Sequence, residues 1–125
     1  MLFDTDVIIW VQRGNLKAAE LINRSKVRAI SVLSYMELLQ SAPLKAHHRV
    51  IKDFLHDFGF SVIPLNENIG HRASIYIEEY SLGHGIRSGD AIVAATAVEH
   101  HETLATSNKK HFRCLKDLDC EFFVP

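Results

Sequence analysis

No long apolar run exists in this sequence. No segment approaches the roughly 18 uncharged apolar residues that suit a membrane span, and Met1-Leu2-Phe3-Asp4 carries neither the basic nor the apolar stretch of a secretory leader. A soluble, unprocessed protein without membrane contact is expected. Cysteine is nearly absent. Cys114 and Cys120 lack C-x-x-C spacing, which argues against a zinc site and against a disulfide framework, so both read as reduced core thiols in a cytoplasm. Charge excess is missing too. A formal net charge of -1 argues against a protein that coats nucleic acid nonspecifically, because such binding is driven by many Lys and Arg contacts to phosphate. Any nucleic-acid contact must be local. There are no repeats, low-complexity tracts or linkers, and 125 residues hold one ordinary core rather than two. Residues 1–125 therefore read as a single domain.

What is present is an alternation of short apolar runs and helical patterns. Leu2-Phe3 is a brief strand ending in Asp4, and Val7 to Val11 continues as helix until Arg13-Gly14 breaks it. Leu16, Ala19, Leu21 and Ile22 recur at near-helical spacing up to Lys26, and Val27 to Val32 is a β-branched run suited to a buried strand. Ser34 to Leu39 reads as helix. Pro43 opens another helical pattern through Phe58, with Gly59 as its stop, and Phe60 to Leu65 reads as strand. Asn66 caps a helix that ends near Gly83-His84-Gly85, and Asp90 to His100 forms the next. Leu104-Ala105-Thr106 is a short strand, Asn108 to Phe112 a turn or short helix, and Glu121 to Val124 a last strand. Strands alternating with helices imply a central parallel sheet flanked by helices on both faces, an α/β/α arrangement with right-handed crossovers.

In such a fold, strand ends and the starts of the helices that follow them gather at one edge, where ligand sites form. Asp4 ends the first strand, Glu37 lies in the first turns after the second, Asp90 opens the helix before the fourth, and Asn108 lies just past the fourth. Each has an ordinary structural explanation. Asp4, Asp6 and Asp90 are helix-cap residues by type, Ser34-x-x-Glu37 fits a capping box, and Asn108 suits a turn. Together they say more. Glu37 is flanked by Met36, Leu38 and Leu39, and Asp90 opens an apolar helix, so both carboxylates are expected half-buried. Carboxylates crowded at one edge repel and raise each other's pKa, and a divalent cation removes that cost. Oxygen ligands favour a hard ion, Mg²⁺ or Mn²⁺, over zinc. A metal on few carboxylates and several waters suits phosphodiester hydrolysis.

Four segments carry a resemblance. Leu2-Phe-Asp4-Thr-Asp-Val-Ile-Ile, Ile30-Ser-Val-Leu-Ser-Tyr-Met-Glu37-Leu, Gly89-Asp90-Ala-Ile-Val-Ala-Ala-Thr-Ala and Ala105-Thr-Ser-Asn108-Lys-Lys-His-Phe together resemble PIN domains, and most nearly the VapC-type toxins of toxin–antitoxin pairs. The likeness spans essentially the whole chain. It implies a metal-dependent endoribonuclease, usually a homodimer, neutralised by a small antitoxin whose tail enters the active-site groove. It implies that Asp4, Glu37 and Asp90 are the acidic metal ligands and that Asn108 holds the fourth position, where many members have Asp. Thr106 matches a hydroxyl residue beside the site. Asp6 departs from the more usual Asn or Ser and adds charge behind the ligands.

Other residues weigh less. His47-His48 and His100-His101 are adjacent pairs, and neighbours on a helix diverge, so surface histidines are expected. Arg87 and the run from Lys109-Lys110 onward place positive charge beside the acidic edge, where an RNA backbone can be gripped. Phe112 is expected in the core. Two rival readings exist. Asp4-Thr-Asp6 also resembles the D-x-D motif of haloacid-dehalogenase phosphatases, which form a covalent aspartyl-phosphate, but Ala94 stands where a second late acid is wanted and Glu37 goes unexplained. The other is a catalytically silent PIN-like scaffold that binds RNA or protein without cleaving, and retention of all three core acids speaks against it.

Overall fold

A computed structural model describes all of residues 1–125. Five parallel strands, β1 (Leu2–Phe3), β2 (Arg28–Ser31), β3 (Phe60–Ile63), β4 (Leu104–Thr106) and β5 (Cys120–Phe122), form one sheet in the order β3-β2-β1-β4-β5. Seven helices complete the chain: α1 (Thr5–Gln12), α2 (Leu16–Arg24), α3 (Val32–Ser41), α4 (Lys45–Asp57), α5 (Glu67–His84), α6 (Ser88–Glu99) and α7 (Lys109–Phe112). No helix is long and apolar enough to cross a membrane.

The central strands are buried on both faces, as the alternation along them requires. Leu2, Ala29 and Leu104 point into a core completed by Ile69, Ala73 and Tyr76 of α5, the small residues of α6, and Phe112, Leu115 and Leu118. Phe3, Ile30 and Ala105, each one residue on, point into the opposite core with Val7, Ile8, Leu21, Ile22, Leu38, Ile51 and Leu55. Helices α1 to α4 thus cover one face and α5 to α7 the other. The run of alanines in α6 lets α5 approach closely, and Arg72 near the start of α5 meets Glu99 at the end of α6 at 2.6 Å, so the two helices lie antiparallel. Phe112 is buried in the core, as its type required.

Punctuation follows local chemistry. Gly59, just past the Phe58 cap of α4, and Gly85, the cap of α5, take positive φ (69° and 71°), where a side chain would strain the backbone. Asn66 caps α5 by accepting from the Ile69 N–H at 2.9 Å. Several boundaries differ from the sequence expectation. β2 ends at Ser31, whose side chain caps α3, so Val32 joins the helix rather than the strand. Pro64 lacks an N–H to extend the ladder, and β3 ends at Ile63. β5 starts at Cys120 and stops at Phe122, and α6 begins at Ser88, two residues before Asp90.

Candidate active site

The chain winds from β1 outward through β2 to β3, then returns to the other side of β1 for β4 and β5. At such a reversal the helices after adjacent strands leave in opposite directions, and a crevice opens beyond the strand ends. Asp4 stands there. Its backbone N–H is bonded to Ala105 O at 2.9 Å. Its Oδ1 accepts from the Thr5 N–H at 2.8 Å, capping α1, and its Oδ2 accepts from Thr106 Oγ1 at 2.8 Å. Burial, followed by the nearby Asp6 carboxylate, pushes the Asp4 pKa up to about 7 against the pull of those hydrogen bonds. Asp6, in the first turn of α1, accepts from the Ser107 N–H at 2.9 Å and from the Ser107 hydroxyl, both on Oδ2. Its Oδ1 is buried with no partner.

A cleft of about 450 Å³ opens over these groups, lined by Asp4, Thr5, Asp6, Glu37, Arg87, Asp90, Asn108 and His111 among others. Glu37 reaches it from the second turn of α3 and accepts from Thr5 Oγ1 at 2.8 Å. Asp90, in the first turn of α6, accepts from the Arg87 N–H at 3.2 Å, and His111 Nδ1 lies 2.8 Å from the same oxygen, Oδ2. Asn108 caps α7, its Oδ1 accepting from the His111 N–H at 3.4 Å, while its Nδ2 lies 3.1 Å from His111 Nδ1. These two contacts of Nδ1 compete: protonated, it donates to Asp90, and bare, it accepts from the Asn108 amide.

Asp4, Asp90 and Asn108 therefore serve as caps and face the cleft at once. The two roles coincide because helices begin where the strands end. Some expectations need correction. Ser34 and Glu37 form no capping box: α3 starts at Val32, so Ser34 is inside the helix, buried with its hydroxyl unpartnered, and Glu37 is exposed rather than half-buried. Asp90 is half-buried as expected. Arg87 lines the cleft, whereas Lys109 and Lys110 are exposed at the start of α7 and are not among its lining residues. Thr5 and Ser107 were missed. His111 was read only as part of the basic run after Asn108, although it stands three residues on, one helical turn away, and lines the cleft.

No three His, Cys, Asp or Glu side chains form a ready-made ion cage. A hard cation needs none, because Mg²⁺ keeps several waters and is held through one or two carboxylates. The donor set fits such an ion. It is all oxygen, the Asp4 carboxylate is short of positive charge, and the Asp6 Oδ1 is an orphaned acceptor behind it.

This α/β/α domain, with an acidic cleft at its sheet reversal, falls within a class of parallel α/β proteins that carry sites at strand ends. Residues 1–117 match the PIN domain family. The chain is 36% identical to Ribonuclease VapC10 of Mycobacterium tuberculosis, over all of this chain and 95% of that protein. The chain belongs to the PIN-domain family. Its fold is similar to a chain of a toxin–antitoxin complex from Klebsiella pneumoniae, with TM-score 0.77 and 27% identity over 94% of this chain and 93% of that one. It also resembles VapBC2 from Rickettsia felis bound to a promoter DNA fragment, with TM-score 0.80 and 20% identity over 98% of each chain. The second likeness concerns the fold alone.

Proposed function

We propose that this protein is a divalent-cation-dependent endoribonuclease, the toxin of a toxin–antitoxin pair. The observation that carries the reading is that Asp4, Glu37 and Asp90, from the first two turns of three separate helices or their caps, line one cleft in a PIN-family chain. A relative named as a ribonuclease, similar over the whole chain, supports the reaction, and the Klebsiella complex supports the partner. Asp4, Glu37 and Asp90 would hold the cation, directly or through its waters, and the hardness of their oxygens favours Mg²⁺ or Mn²⁺. When bound, the cation supplies a nucleophile from water at neutral pH and takes up charge on the phosphate oxygens.

The chain's own residues do the rest. Thr106 fixes the rotamer of Asp4 by donating to Oδ2. Asp6 adds negative charge behind Asp4 and braces the turn after β4 through Ser107. His111 holds Asp90 from the side of α7, and Asn108 orients His111. Asn108 itself contributes no charge, so the free protein would hold one ion and a second would need the charge of RNA phosphate. Arg87 at the rim, with Lys109 and Lys110 outside it, contacts the RNA backbone. A small antitoxin blocks the cleft, and the toxin works as a homodimer in the cytoplasm. The test is cleavage of single-stranded RNA by purified protein: cutting with Mn²⁺ or Mg²⁺, lost in EDTA and restored by excess cation, is expected. Robust cutting in excess EDTA overturns it.

A further inference from the structure

The cleft is poor in positive charge. Of the side chains that line it, only Arg87 is permanently cationic, against four carboxylates. A polyanion held there needs a grip elsewhere, and one helix offers it. In α4, Lys45, Arg49, Lys52 and His56 are spaced by four, three and four residues, so they fall on a single stripe. All four are exposed. We propose that this stripe is a binding track for the phosphate backbone of single-stranded RNA, an inference that rests on the ribonuclease reading above.

Three observations support the assignment. Lys45, Arg49 and Lys52 make no ion pair within the protein, and His56 meets only its exposed neighbour Asp57, whereas Arg24 and Arg72 are committed to carboxylates. The stripe's charge is therefore unspent. Second, successive cations advance about 4.5–6 Å along the helix axis at 1.5 Å per residue, steps that flexible Lys and Arg side chains can match to the phosphates of an extended strand. Lys45, Arg49 and Lys52 line one shallow groove, with Asp53 as its single acid. Third, no apolar side chain lies on the stripe. Exposed Val50 and Ala46 line the same groove but lie off the stripe, Val50 following Arg49 by one residue and so pointing about 100° away, and a protein partner would want a larger apolar centre. The helix that bears the stripe packs on α3, which carries Glu37.

The test measures binding without catalysis. Fluorescence anisotropy of a labelled, unstructured RNA is followed in EDTA over a series of salt concentrations. The proteins are wild type, the stripe variant Lys45→Gln/Arg49→Gln/Lys52→Gln, and a control, Lys17→Gln/Lys26→Gln/Lys116→Gln, which loses the same charge from exposed positions elsewhere. Glutamine keeps the helix propensity of lysine and arginine, so α4 should persist by circular dichroism. Three lost phosphate contacts lower the slope of log K against log salt by about 2, a loss on the order of 100-fold at ~0.1 M salt. The control should keep the wild-type slope. A stripe variant indistinguishable from the control overturns the proposal. So does a wild type that ignores RNA but binds poly-glutamate through the stripe, which would assign the face to an acidic protein. A slope drop in a protein that cleaves no RNA under any cation supports the track and overturns the nuclease reading alone.

Discussion

Replacing Asp4 with asparagine removes a charge that the fold holds at a cost. In the unfolded chain Asp4 ionises near its ordinary value of 3.8, while in the folded chain burial and Asp6 delay this to about 7. Between those values the unfolded state binds fewer protons than the folded one, so stability without cation falls as pH rises, by up to about 1.4 kcal/mol per pH unit. The full difference is about 4 kcal/mol above pH 7. In the Asp4→Asn variant the new side chain would keep the cap to the Thr5 N–H, but its amide nitrogen cannot accept from Thr106, whose hydroxyl must turn round. Allowing for that, a net gain of about 2 kcal/mol is expected at pH 8 in EDTA, or roughly 5–10 °C in Tm. Thermal unfolding by circular dichroism between pH 4 and 8 reads it. The two curves should converge near pH 4 and separate toward pH 8. Mn²⁺ should raise the wild-type Tm at pH 8 and the variant's much less. An Asp4→Asn protein less stable than wild type at pH 8 in EDTA, with a gap independent of pH, would refute the reasoning.

Three further outcomes follow from the same geometry. His111→Ala should weaken Mn²⁺ binding and cleavage by roughly 10- to 100-fold, as losing an outer hydrogen-bond partner of a metal ligand does, with calorimetric titration and kcat as readouts. Asn108→Ala should cost about 1 kcal/mol of stability through the α7 cap, yet lower Mn²⁺ affinity less than Asp90→Ala, whereas Asn108→Asp should keep the cap and tighten binding of a second ion. Phe112→Ala should cost about 3–5 kcal/mol in urea unfolding, because the ring is buried in the core rather than free to stack on a base.

The layered fold was legible because β1, β2 and β4 present apolar residues to both faces and leave no ambiguity about burial. The convergence of Asp4, Glu37, Asp90 and Asn108 on one cleft followed from topology alone, since parallel strands end together. Local phase was harder. Val32 is β-branched and reads as strand, but the Ser31 hydroxyl reaches the Leu33 N–H and starts the helix at once, which moves Ser34 from cap to core and leaves Glu37 exposed. The role of His111 beside Asp90 was hidden for a different reason. Its contact with Asp90 joins α7 to α6, and no spacing within the sequence encodes a distance between helices on neighbouring connections. Lys109 and Lys110 show the converse: adjacent to Asn108 in sequence, they are exposed at the start of α7 and do not line the cleft.

The central claim is that the carboxylates of this cleft hold the cation that cuts RNA, and Asp90→Asn tests it most directly. The substitution is nearly isosteric and keeps an acceptor for the Arg87 N–H, so the fold should survive, with a Tm in EDTA at or above that of wild type. Cleavage of a fluorescent single-stranded RNA in saturating Mn²⁺ should fall by at least about 1,000-fold, the scale on which metal charge stabilisation of several kcal/mol is lost. Undiminished cleavage by a folded Asp90→Asn protein would contradict the account.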